Sequence, residues 1–282
     1  MYKRILSLAL LLISFASFAQ SSKDNENSGD EYDGKAYFMT GLNYVSNNVY
    51  LGRKDTVVVP YISPYIGYMF KSGIYARALA SFTSRPKTHL DLFTLAAGYE
   101  HAFGDHFYSG ALFEKYFYNK NTVSVKSNIK SSAGIFGQYT NDWIEPLLTL
   151  EYNQTTAKKG DFIVGGSLDH VFSLVDDKLN VLPTLTMFAG TQRYYQEHKK
   201  QRETNLNGKK AKNILISGSD QFQALDYEIS CQFLYFLHHW AFKLIPAYVI
   251  PINPSSITVG NQVLPEKISN TFILELDICY RY

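Results

Sequence analysis

The sequence predicts an all-β chain, a single antiparallel up-and-down transmembrane β-barrel of about 12 strands behind an N-terminal signal peptide. Three observations predict it. From Lys35 onward, apolar and polar residues alternate with period two, segment after segment. The connections between these segments are sorted, short at one end and long at the other. Aromatic residues make up 15% of the chain and charged residues only 18%, yet mean hydropathy is −0.15. That mixture is too polar for a bundle of membrane helices. It suits a wall with one face in lipid and the other in water.

The elements follow in order. Residues 1–19 carry Lys3 and Arg4, an apolar stretch from Ile5 to Phe18, and the small residues Ser17 and Ala19. This is the layout of a signal peptide cut between Ala19 and Gln20, and the apolar run is too short for a spanning helix. The residue after the cut is Gln20 and not Cys, which excludes a lipoprotein. Residues 20–34 are polar and acidic and read as a flexible segment. The barrel takes 35–282. The chain holds 27 Lys and Arg against 25 Asp and Glu. Removing Lys3 and Arg4 with the leader leaves the exported chain neutral, which argues against a nucleic-acid partner. Cys231 and Cys279 are too few for a disulfide framework.

Twelve alternating segments lie near 35–46, 56–70, 73–84, 88–103, 106–119, 123–139, 143–155, 161–174, 179–192, 222–236, 240–251 and 267–282. The last is the clearest. Phe272, Leu274, Leu276, Ile278, Tyr280 and Tyr282 fall on one face, and Thr271, Glu275, Asp277 and Arg281 on the other. A helix would mix these sets and a strand separates them. The even-numbered segments are followed by KSG, GD, TND, VDDK and LHH, whereas the longer connections, above all 193–221 and 252–266, follow odd-numbered ones. Both termini then fall on the short-turn, periplasmic side. Pro146, Pro183 and Pro246 recur early in three upward strands, a structural echo without chemistry.

The leader ending SFAQ, the strand train over 35–282 and the terminal ELDICYRY together resemble bacterial outer-membrane β-barrel proteins. The resemblance implies outer-membrane localisation, contact with outer-membrane lipid and lipopolysaccharide, and insertion by the barrel-assembly machinery. It also implies that the terminal strand, with Tyr280 and Tyr282 facing outward, is the assembly signal.

The polar faces supply the candidate lumen lining: Arg77, Glu100, Glu114, Lys126, Lys130, Glu145, Glu151, Asp169, Asp226, Glu228, Lys243, Glu275, Asp277 and Arg281. They form either a water-filled path with an acidic bias or a self-neutralising network that plugs a narrow barrel, since about twelve strands lies between filled and open barrels. The basic connection 193–221 folds inward as a constriction, touches lipopolysaccharide phosphates, or stays a solvated mobile loop, as charge runs usually do. Aromatics such as Tyr61, Tyr65, Tyr68, Phe70, Tyr99, Phe103, Phe117, Tyr118, Tyr194, Tyr195 and Trp240 read as interfacial belts. Ser84, His89 and Asp91 lie around one outer hairpin, a nucleophile, base and orienting acid of the kind that hydrolyses a lipid ester, but they are three common residue types near a polar turn. The scattered His residues show no metal-ligand spacing, and no cofactor motif is present. The leading function is therefore a porin-like channel for small solutes. The alternatives are a non-conducting structural or surface-interaction barrel and, third, a lipid hydrolase.

Overall fold

The computed structural model describes residues 35–282 apart from 55–57, 85–86, 123, 142, 158, 200–213, 255, 260–261 and 267. The leader, the acidic segment and the basic residues Lys200 to Lys212 of the 193–221 connection lie outside the described residues.

Twelve long strands make the wall: β1 (Tyr37–Val45), β2 (Tyr61–Met69), β3 (Ile74–Thr83), β4 (His89–Phe103), β5 (Phe107–Tyr118), β6 (Ile129–Tyr139), β7 (Glu145–Thr155), β8 (Asp161–Asp169), β9 (Leu179–Gly190), β10 (Gln223–Leu237), β11 (Trp240–Pro251) and β12 (Thr271–Arg281). Phe172–Leu174 continues β8 after a short break. Each strand pairs antiparallel with the next, and β12 pairs with β1, so the ring is closed. Closure satisfies every edge, which is the condition for placing a sheet in hydrocarbon. At the seam, Phe38 and Tyr282 exchange both backbone hydrogen bonds, at 2.7 and 3.0 Å.

Alternation decides the faces. Leu42, Ile62, Ile66, Phe113, Ile135, Leu148, Leu185, Ile229, Phe272 and Ile278 stand exposed on the outside. An apolar surface running round the whole ring far exceeds the patch a soluble monomer exposes, and lipid is its proper solvent. Rings collect at the short-turn end. Phe70, Tyr68, Phe38, Tyr282, Tyr280 and Trp240 touch in sequence, with centroids 4.5 to 5.9 Å apart, across β2, β1, β12 and β11. Pro146 and Pro183 are exposed on the lipid face and Pro246 shares that face, half-buried.

Bulges alter the expected faces at three places, one of them between β9 and β10, where the register shifts at Phe188/Ala189 and Leu225 turns inward and is buried. Between β3 and β4 the register shifts at Ser81/Phe82, and Asp91 turns inward and is buried while Phe93 packs outside on Phe117. Between β6 and β7 it shifts at Ile129/Ser131, and the extra residue, Lys130, is exposed on the outside. Lys130 therefore does not line the lumen: strict alternation placed it there, and one inserted residue reverses the face. Two expected strands also begin late. Residues 124–128 form a turn, with Ser124 Oγ accepting from Lys126 N at 3.2 Å, and Val59 is held off the wall by its N–H to Asn47 Oδ1 at 3.1 Å.

Candidate functional site: the barrel interior

The interior is layered. At the short-turn end Tyr37, Met39, Met69, Tyr75, Leu182, Leu234, Phe236 and Cys279 pack into an apolar cluster. Tyr75 fits because Gly98 lies opposite; a Cβ there would sit 2.5 Å from the tyrosine ring. The Arg281 guanidinium lies over Tyr37 and Phe236, 5.8 and 5.2 Å from the ring centroids.

The middle layer is charged. Lys243 Nζ sits 2.9 Å from Glu275 Oε1, which also accepts from Asn43 Nδ2 at 3.1 Å. Tyr65 Oη donates to Asp277 Oδ1 at 2.9 Å, and Arg77 stacks over the Tyr65 ring at 4.5 Å. Tyrosines serve the other acids in the same way. Tyr108 donates to Glu100 and Tyr116 to Glu114, while Gln138 reaches Glu145 at 3.2 Å and Ser132 reaches Glu151 at 2.7 Å. A tyrosine offers an apolar body to pack and a hydroxyl to pair, which suits a narrow polar interior. Tyr61, Tyr65, Tyr194 and Tyr195 are buried in this interior and do not belong to a lipid-facing belt.

A polar lane runs along β8, β9 and β10. Ser167 pairs in register with Thr186 and Thr186 with Glu228; one step further, Asp169 pairs with Thr184 and Thr184 with Ser230. All six face inward and are buried, as is Gln232 beyond them. Ser167 Oγ, Thr186 Oγ1 and both polar atoms of Gln232 have no protein hydrogen-bond partner. Buried polar groups of this kind are ordinarily satisfied by water.

A short hairpin enters the long-loop mouth. Val49–Tyr50 and Arg53–Lys54 form a small hairpin that turns into the barrel, with Tyr50, Leu51 and Arg53 fully buried. Leu51 and Gly52 both have positive φ, 49° and 70°, the geometry of a tight two-residue hairpin turn. Tyr50 Oη donates to Glu151 at 3.2 Å and accepts from Asn153 at 2.6 Å, and Lys126 Nζ lies 4.8 Å over its ring. Arg53 Nε donates to Gln192 at 2.9 Å, its Nη2 to the Asn253 carbonyl at 3.0 Å, and Glu266 stands 3.7 Å away. A helical segment over 193–199 covers the hairpin, with Tyr194 donating to the Tyr50 carbonyl at 3.1 Å. Asp161 of β8 caps that segment, accepting from Arg193 N at 2.7 Å and Tyr194 N at 2.8 Å. His198 is buried against Ser127, 3.3 Å from its hydroxyl. Burial, aided by Lys199, pushes the His198 imidazole down to about 4.

Of the residues expected to line the lumen, Arg77, Glu100, Glu114, Glu145, Glu151, Asp169, Asp226, Glu228, Lys243, Glu275, Asp277 and Arg281 are buried on inward faces, and Lys126 reaches in from a turn. Alternation missed Arg53, Asp91, Asp161 and Glu266. The first had a legible signal: VYLGRK is a short hairpin pattern around a Gly turn. The supposed triad is not assembled. His89 Nδ1 lies 2.6 Å from the Lys87 carbonyl and Nε2 3.2 Å from Asp91 Oδ1, so both ring nitrogens are engaged away from Ser84. Cys279 is buried inside, Cys231 is on the outer face, and both are free. Among the described residues no group of three or more His, Cys, Asp or Glu is placed to hold a metal.

No protein-family model and no curated protein matches the sequence. Solved structures do. The chain is similar to the KdgM porin at 10% identity and a TM-score of 0.47, over 86% of this chain and 99% of that one. It is similar to the NanC porin at 8% identity and 0.45, over 87% and 100%. It is similar to LpxR from Salmonella typhimurium at 8% identity and 0.47, over 86% and 99%. The closed ring of twelve strands and its apolar outer band give the chain the fold of a transmembrane β-barrel.

Proposed function

We propose that the protein is a porin-like channel for small solutes, cation-preferring, and closed in the state described by the 49–54 hairpin. It is exported on the cleavable leader 1–19 and inserted through recognition of its last strand by the barrel-assembly machinery, with the long-loop end at the cell surface. One observation carries the channel reading: along the polar lane, Ser167, Thr186 and Gln232 supply buried groups that call for water on one side of the interior. The sign follows from charge. Every Asp and Glu of the wall strands faces inward, and among the described residues Arg77, Lys243 and Arg281 of the wall, with Arg53, Lys126 and Lys199 of the loops, oppose them. Carboxylate-lined interiors favour cations. A second reading, a non-conducting barrel, is favoured by the dense apolar filling at the short-turn end. Planar-bilayer recording decides between them. Wild type is expected to give small, cation-selective conductance, and replacing 49–54 by a Gly-Ser link is expected to enlarge it. Silence from both proteins makes the barrel non-conducting.

A further inference from the structure

The wall sorts charge by sign. Every Asp and Glu on the twelve wall strands is buried inside. The charged side chains that the wall turns outward, among the described residues, are Lys115 and Lys130. They are neighbours. Lys115 of β5 is the register partner of Ser131 of β6, and the bulge swings Lys130 outward beside that serine. On the next strand Gln154 pairs with Ser131 and accepts its hydroxyl through Oε1 at 2.9 Å, which leaves the amide N–H groups for another acceptor. Neither lysine has an ion-pair partner among the described residues.

Their height matters as much as their charge. Lys115 lies near the long-loop end of β5, between the lipid-facing Phe113 and Phe117 and in register with the exposed Leu95. Lys130 is the second residue of β6. A cation on the lipid face is expensive at the mid-plane and tolerated near the interface, where a long stem carries the ammonium to the headgroups. Two ammonium groups side by side repel each other unless an anion lies between them. The cluster offers donors, two ammoniums and one amide, and phosphate oxygens are acceptors. The apolar rings on either side of Lys115 suit acyl chains rather than a free ion.

We propose that Lys115, Lys130 and Gln154 form an outward-facing site for the phosphate of an outer-leaflet lipid. The membrane level of the site rests on the orientation proposed above, while binding to purified protein tests the site itself, so the two can fail separately. The experiment is native mass spectrometry of the full barrel in detergent with bis-phosphorylated lipid A, and with the same lipid after phosphate removal. Wild type is expected to retain the phosphorylated lipid and release the dephosphorylated one. K115Q/K130Q, checked for folding by heat-modifiable migration, is expected to retain it roughly 30-fold less well, the effect of two lysines near an anionic surface. K115R/K130R is expected to keep it. Equal retention of both lipids by wild type, or equal retention by wild type and the folded Gln variant, overturns the proposal. Displacement of the lipid by millimolar inorganic phosphate also overturns it, because the site would then read free phosphate.

Discussion

At the scale of single residues, Arg53 and His198 hold the outer mouth by opposite means. Arg53 is a buried cation whose guanidinium ties the hairpin to Gln192, to the Ile252 and Asn253 carbonyls and to Glu266. Removing one partner of such a buried set costs about 3–5 kcal/mol, because the remaining groups are left unpaired. Arg53→Ala is therefore expected to release the hairpin. Hydrogen exchange at 49–54 should rise by orders of magnitude while the wall keeps its protection, and channel open time should lengthen; Arg53→Lys, which keeps charge but loses the fork, should fall between. His198 is held neutral. Its folded value of about 4 lies below the ordinary 6.5, so the unfolded or undocked segment binds the proton more readily. The docking energy is then full above about pH 6.5 and is lost as pH falls toward 4, by about 3 kcal/mol at the limit. Protease cleavage at 193–199 should accelerate over that window, and His198→Gln should remove the pH dependence. An unchanged cleavage rate between pH 7 and 4 would show that His198 does not hold the segment.

Among the elements, the strands were legible and the loops were not. Lipid demands an apolar residue at every second position, so the wall announced itself as alternation over β7 to β12 with hardly an error. Where alternation breaks, the sequence misleads: Lys130 and Asp91 sit at bulges, and an inserted residue leaves no mark in a pattern of period two. The hairpin is a different case. Its turn was readable at Leu51–Gly52, but its destination depends on Glu151, Gln192 and Asn253, which approach only after the ring closes. The sequence of the 193–221 connection reads as a constriction, a lipopolysaccharide contact or a solvated loop; of its described parts, 193–199 covers the 49–54 hairpin and Ile214–Ile216 pairs with Ser256–Val259, while the hairpin enters the mouth. Gly52 is the weak point of that element. A Cβ there would meet Pro251 Cβ at 2.8 Å and Asp226 Cβ at 3.0 Å, on a backbone with φ of 70°. Gly52→Val is expected to destabilise the docked hairpin by about 1–3 kcal/mol, through strain at positive φ and the clash. Limited proteolysis at 47–54 should show it, with the thermal unfolding of the whole barrel unmoved; a hairpin as protected as in wild type would mean the turn can relocate.

Across the whole molecule, the number of strands and the sorting of loops were readable, whereas the closing pair was only implied by the even count. A barrel has no edge only if its first and last strands find each other, and that contact spans the full length of the described chain. Here β1 and β12 pair from Met39–Arg281 to Val45–Glu275. Beyond that ladder, the chain's last residue takes part: Tyr282 exchanges two backbone hydrogen bonds with Phe38 and stacks on its ring at 5.9 Å, and Tyr280 packs on Trp240 at 4.9 Å. The outward terminal aromatics proposed as an assembly signal thus also bolt the seam on its lipid face. These two roles predict different losses. Deleting Tyr282 removes two hydrogen bonds and a ring contact, so the purified, refolded barrel should lose a few kcal/mol. In detergent gels its heat-modifiable form should then melt at lower temperature than wild type. Tyr282→Phe keeps the backbone pair and the stack, and should match wild type in both stability and assembled level. Tyr282→Asp keeps the backbone bonds but puts a charge in the aromatic girdle, and should lower the assembled level in cells more than it lowers melting of the refolded protein. If Tyr282→Asp assembles normally in cells, the terminal ring serves the seam alone.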